Sequence, residues 1–211
     1  MNTNILNFKT MKINYLTLNL MKTTKFFLGA FFCLTLITSC SDDDDNPAPV
    51  LEEELITNVT LTFVNNDDPL DIVTMASVAP DGQDGASTEL VSGTFTSGET
   101  YALTLALTNE SEDPAEDVLN DDIIPEADEH FFVYAVNGIN LTLSRDDDDV
   151  DASDSEKLGL NTTWVAGAAS TGNVQIILVH EPEGADDSDE FGSVTGGSED
   201  INITFSNVEI Q

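Results

Sequence analysis

From Leu55 to the C-terminus, apolar residues recur at every second position in short runs, the pattern of half-buried strands. "NVTLTF" puts Val59, Leu61 and Phe63 on one face and Thr60 and Thr62 on the other. "DIVTMASV" (71–78), "TELVSGTF" (88–95) and "ETYALTLALTN" (99–109) continue it, the last alternating Tyr101, Leu103, Leu105 and Leu107 with small or hydroxylated residues. After a break the pattern resumes at "HFFVYAV" (130–136), "INLTLSR" (139–145), "LGLNTTWVAG" (158–167), "NVQIILVH" (173–180) and "DINITFSNVEI" (200–210). Turn residues punctuate these runs, as in "NNDDP", "PDGQDG" and "STG". Asn137-Gly138 has type I′ turn chemistry and predicts a hairpin between the strands on either side of it. Eight or nine strands so spaced predict an all-β, Ig-like antiparallel β-sandwich.

The break, "ESEDPAEDVLNDDIIPEADEH" (110–130), reads as one short helical connection. Pro114 would be its first residue, Asp113 its N-cap, and Val118, Leu119 and Ile123 its apolar side, with Pro125 ending it. "DDDDVDASDSE" and "EPEGADDSDEFGSVTGGSE" read as acidic loops. Trp164 lies in an alternating run and is expected in the core, the rival being an exposed carbohydrate platform.

Ahead of Leu55 the pattern changes. Residues 1–20 hold no acidic residue and read as an upstream mis-start or an extended basic region, with Met1, Met11 and Met21 all open as starts. "MKTTKFFLGAFFCLTLITSC" carries Lys22 and Lys25 before an apolar core (26–37), too short for a comfortable membrane span and suited to a signal peptide. Its end, "ITSC", resembles the lipobox of bacterial lipoproteins. That resemblance implies removal of residues 21–39 and acylation of Cys40, each buried CH₂ adding about 0.8 kcal/mol of anchoring. The competing reading is an ordinary secretory peptide or an N-terminal membrane helix, with Cys40 incidental. "SDDDDN" resembles the acidic export signal of Bacteroidetes-type surface lipoproteins and implies lipid anchorage in the outer membrane, facing outward. The plain alternative is a solvated tether. Residues 40–54, ending "PAPVLEEE", form that tether, and 55–211 the sandwich domain.

Charge sharpens the division. Of six Lys and Arg residues, four precede Cys40, whereas all 40 acidic residues follow it. From Cys40 onward, two basic residues stand against 40 acidic ones, a formal charge of −38. Nucleic acid is excluded as a partner on that balance, which also argues against the chain lying flat on an anionic lipid surface. Divalent cations or a basic protein partner fit it, as does a plain role in keeping the chain soluble. The 40% hydrophobic content argues for a folded chain. Cys33 falls in the apolar run, so the exported chain has a single cysteine and no internal disulfide.

Taken in order, "ALTNESEDPAEDV", "PEADEHFFVY", "LGLNTTWVAGAASTGNVQIILVHEP" and "DINITF" resemble a family of small Bacteroidetes surface lipoproteins, mostly uncharacterised. Some members carry the label "type 1 periplasmic binding fold superfamily". The resemblance covers most of 55–210. A periplasmic binding fold needs alternating βαβ units, whereas this pattern holds essentially one helix. No catalytic motif comes with the family. By analogy it implies an accessory protein beside an outer-membrane transporter.

Nothing in the residues points to catalysis. There is no G-x-S-x-G elbow, acylation would remove the only exported thiol, and carboxylates are too abundant for any pair to be diagnostic. Metal binding is the sharper chemistry. Asp81 and Asp84 in "DGQDG", and Asp147, Asp149, Asp151 and Asp154 in "DDDDVDASDSE", offer oxygens of the kind Ca²⁺ takes, but neither loop has EF-hand spacing and the plainer reading of both is a solvated acidic surface. His130 and His180 are the only histidines, each at one end of an apolar strand. With Glu126 or Glu129 they would make a site for Zn²⁺, Cu²⁺ or Fe if the strand ends converge. The alternative is a pair of histidines hydrogen-bonded to loop backbone. The chain therefore reads as a non-enzymatic binding or accessory module, for nutrient or metal capture. Its rival is an envelope-structural or adhesive protein with Ca²⁺-stabilised loops.

Overall fold

A computed structural model describes residues 54–211 apart from 84, 147 and 153–155. Cys40, Asp84, Asp147 and Asp154 thus lie outside the described residues. The strands are β1 (Asn58–Asn65), β2 (Ile72–Val78), β3 (Thr88–Ser92), β4 (Thr100–Thr108), β5 (His130–Asn137), β6 (Leu141–Arg145), β7 (Thr162–Ala166), β8 (Ser170–His180), β9 (Gly184–Asp186), β10 (Ser193–Thr195) and β11 (Ser198–Ile210). One sheet has the order β3-β2-β1-β4-β7-β6 and the other β11-β8-β5, with β9 and β10 forming a small ribbon. All strand pairs are antiparallel. The chain is the all-β sandwich that its alternation predicts, with no βαβ unit among the described residues. Among them, too, no helix is long and apolar enough to cross a membrane.

Burial follows the period-two pattern. Val59, Leu61 and Phe63 of β1 and Tyr101, Leu103, Leu105 and Leu107 of β4 face the core. Trp164 is fully buried, edge-on to Phe63 at 5.4 Å and to Tyr134 at 5.5 Å, with its Nε1–H donating to Thr162 Oγ1. Such edge-to-face pairs add about 0.5–1.5 kcal/mol beyond area burial.

Three local expectations are corrected. Asn137-Gly138 does reverse the chain, with Gly138 at φ +79°, but it does not make a hairpin. β5 pairs with β8 over eight residues and β6 pairs with β7, so the turn carries the chain from one sheet to the other. Turn chemistry is local, whereas pairing goes to the partner that buries the strand, and eleven-residue β8 outcompetes five-residue β6. The helical connection starts at Leu119, not Pro114, because Asn109 and Glu116 exchange backbone hydrogen bonds and hold the intervening stretch out of helix. Val118, Leu119 and Ile123 are nonetheless buried as expected, and a second, 3-10 turn (Ala127–Glu129) leads into β5. The last acidic loop is not all loop, since it contains the β9–β10 ribbon.

Candidate metal centre

His130 and His180 stand directly opposite each other at one end of the β5–β8 pair. The next rows on the same face are Phe132 with Leu178 and Tyr134 with Ile176. The alternation that sends those residues into the core sends the two histidines there too, as its last row. They are 1% and 5% exposed, and their rings stack with centroids 4.7 Å apart and planes 14° apart.

His130 Nδ1 lies 2.9 Å from the Glu126 carbonyl oxygen. A carbonyl only accepts, so Nδ1 carries a proton and a neutral ring presents its lone pair at Nε2. That Nε2 faces Glu54 Oε1 at 3.7 Å and Asp200 Oδ2 at 3.9 Å. A lone pair pointed at two carboxylates is repulsive, so the arrangement calls for positive charge at that point, either a proton on Nε2 or a cation between the groups. The separations exceed hydrogen-bond length, and His130 Nε2, His180 Nδ1, Glu54 Oε2 and Ser198 Oγ are buried without a hydrogen-bond partner. One candidate ligand atom from each of Glu54, His130, His180 and Asp200 lies within 4.8 Å of the others.

These dimensions fit a small ion. Tetrahedral Zn²⁺ at about 2.0–2.1 Å from its ligands needs them about 3.4 Å apart. The two separations at His130 Nε2 are thus within about half an ångström of a closed site. Two imidazole nitrogens and two carboxylate oxygens form a borderline donor set suited to Zn²⁺, Cu²⁺ or Fe²⁺. The Glu126 carbonyl fixes both the tautomer and the ring orientation of His130, as the outer partners of metal-bound histidines do.

Glu54 and Asp200 have no counterpart in the sequence expectations. Glu54 belongs to the assigned tether, yet the next residues are already fixed: Ile56 is buried and Thr57 hydrogen-bonds to the Thr108 carbonyl. Asp200 should face outward if Ile201, Ile203 and Phe205 face in. A register shift in β11 between Glu199 and Ile201 makes it the extra residue of a bulge, and its side chain is fully buried. Strict alternation cannot announce such a residue. Gly197, at φ +82°, brings β11 so close to β8 that a Cβ there would sit 2.7 Å from the His180 carbonyl.

The surroundings are acidic. A cavity of about 130 Å³ beside the cluster is lined in part by Glu54, Asp200, Asp81 and Gln83. A shallower depression of about 350 Å³ brings Glu54 together with Glu116, Asp122 and Glu126. Burial and then the charges of Glu116 and Glu54 push the Asp122 pKa up. Such a concentration of carboxylates draws cations toward the buried histidines.

The remaining sequence candidates sort as follows. Glu126 gives His130 its carbonyl while its side chain is exposed. Glu129 Oε2 lies 3.6 Å from His180 Nε2, and with Glu181 these residues make a second, more exposed group with metal-ligand spacing. Asp149 is buried, and its carboxylate accepts backbone N–H groups from Val150, Gly159, Leu160 and Asn161. Asp151 pairs with Lys157 Nζ at 2.9 Å. Among the described residues, no group of His, Cys, Asp and Glu with metal-ligand spacing includes Asp81, Asp149 or Asp151. No protein family, curated protein or solved structure matches this chain, so the reading of its function rests on the chemistry of the site.

Proposed function

We propose that this is a lipid-anchored, surface-facing module of the outer membrane that captures a divalent transition metal, Zn²⁺ foremost, without chemical turnover. The observation that carries it is the convergence of His130 and His180, with buried nitrogens lacking hydrogen-bond partners, on the carboxylates of Glu54 and Asp200. Four protein ligands would close a tetrahedral shell, the arrangement of holding sites; catalytic zinc keeps a position open for water. The lipobox-like "ITSC" and the aspartates after Cys40 support the anchored location. The formal charge of −38 beyond Cys40 supports a task in gathering cations. An outer-membrane transporter is the partner that such a task implies.

Metal analysis of the full chain after purification without chelator tests the reading. About one equivalent of Zn²⁺, Cu²⁺ or Fe, lost in His130→Ala, is expected. A melting temperature raised by Ca²⁺ alone, with no transition metal bound, would favour the calcium-stabilised structural role instead.

A further inference from the structure

No strand position on the outer face of the six-stranded sheet is charged, and the nearest carboxylates, Asp146 on Thr163 and Glu110 on Thr108, sit at strand ends. Residues paired across antiparallel strands share a face, so the buried pair Phe63–Val73 assigns Thr62, Thr74, Ser92 and Thr104 to the outer face as one transverse row. The next row is Leu90, Ala76, Thr60 and Ala106. Extended across all six strands, the outward positions hold only Thr, Ser, Ala, Asn, Val, Ile and Leu. About twenty such positions on an ordinary protein surface would include roughly five to seven charged residues. Here, in a domain with 40 acidic residues, there are none. Four of the six most exposed large apolar side chains among the described residues also lie on this face: Ile72, Val78, Leu90 and Val165.

We infer that this face is a self-association surface, joining two copies of the chain about a two-fold axis. Charge selects the occupant. At −38 per copy, a broad face with no charged strand position lets two copies meet with their carboxylates held to the rim. A basic partner would gain nothing from an uncharged face, and the absence of any aromatic residue among the outward positions leaves no platform for a sugar ring. The area is sufficient, because a standard stable interface uses about 20–30 residues per side. The inference is independent of the metal site.

Sedimentation of the full chain in nonionic detergent with EDTA, at low and high NaCl, tests it. The expected result is a dimer whose dissociation constant falls as salt screens the repulsion between the acidic rims. Ala106→Glu and Thr62→Glu put like charges at the centre of the face and should weaken the dimer at least about tenfold. Leu90→Glu, at a 65% exposed edge position, should weaken it less and guards against misfolding at the centre. Thr204→Glu, exposed on β11 of the other sheet, should leave it unchanged. Near-UV dichroism of buried Trp164 reports that each variant is folded. A monomer at every salt up to about 100 μM, far above a micromolar constant, overturns the inference. So does a dimer indifferent to Ala106→Glu and Thr62→Glu.

Discussion

Asp149 Oδ2 accepts the backbone N–H of Gly159 at 2.7 Å, and its partner oxygen accepts those of Val150, Leu160 and Asn161. One buried carboxylate thereby organises the acidic loop that the sequence offers as a calcium site. Burial raises its pKa, against the opposing pull of the four donors. Asp149→Asn keeps the shape but turns an NH₂ toward the Gly159 N–H. Urea unfolding should show a loss of about 1–3 kcal/mol.

Arg145 holds the same region from the other side. It donates from Nη1 to the Lys157 carbonyl, from Nη2 to those of Phe132 and Phe191 and from Nε to that of Glu190, and it lies 4.6 Å over the Phe131 ring. A lysine ammonium is a single point and cannot reach carbonyls fanned in this way. Arg145→Lys should cost about 2–4 kcal/mol in the same measurement.

Asp71 gives the sandwich an acid-sensitive tie. Its Oδ2 accepts hydrogen bonds from Tyr101 Oη at 2.7 Å, Asn65 Nδ2 at 2.9 Å and Thr96 Oγ1 at 3.0 Å. Burial works to raise its pKa, but these bonds outweigh it and hold the value below the ordinary one. A depressed carboxylate stabilises the fold above its unfolded pKa of about 3.9 and loses that contribution as pH falls through the folded value. Tyr101→Phe should therefore lower stability by about 1–2 kcal/mol at pH 7. The gap from wild type should narrow below about pH 4, as seen in unfolding series taken across pH.

The anchored location makes its own prediction. Detergent phase partitioning of the exported protein should place the wild type in the detergent phase and Cys40→Ala in the aqueous phase or uncleaved. An aqueous wild type would remove the lipid from the account.

The strands were legible because β1 and β4 bury one face throughout and β5, β8 and β11 keep a period of two over most of their length, although β5 and β8 are buried on both faces where the histidines lie. The two histidines were legible for the same reason, as polar residues at the ends of apolar strands. Their juxtaposition was not, since it depends on β5 choosing β8, some fifty residues away in sequence, over the neighbour that Asn137-Gly138 advertises. Asp200 was hidden by a bulge that breaks the parity of its strand. Glu54 was hidden by its acidic neighbours, whose composition marks a solvated tether, while its position is set by Ile56 and Thr57 anchoring the next turn of chain.

Isothermal titration of the metal-free full chain with Zn²⁺ addresses the central claim most directly, run beside His130→Ala, His180→Ala and Asp200→Asn. The account predicts one tight site per chain in the wild type, abolished by either histidine substitution and weakened at least about tenfold by Asp200→Asn, which keeps the oxygen but removes its charge. No saturable heat in the wild type, or a site that survives both histidine substitutions, would contradict it.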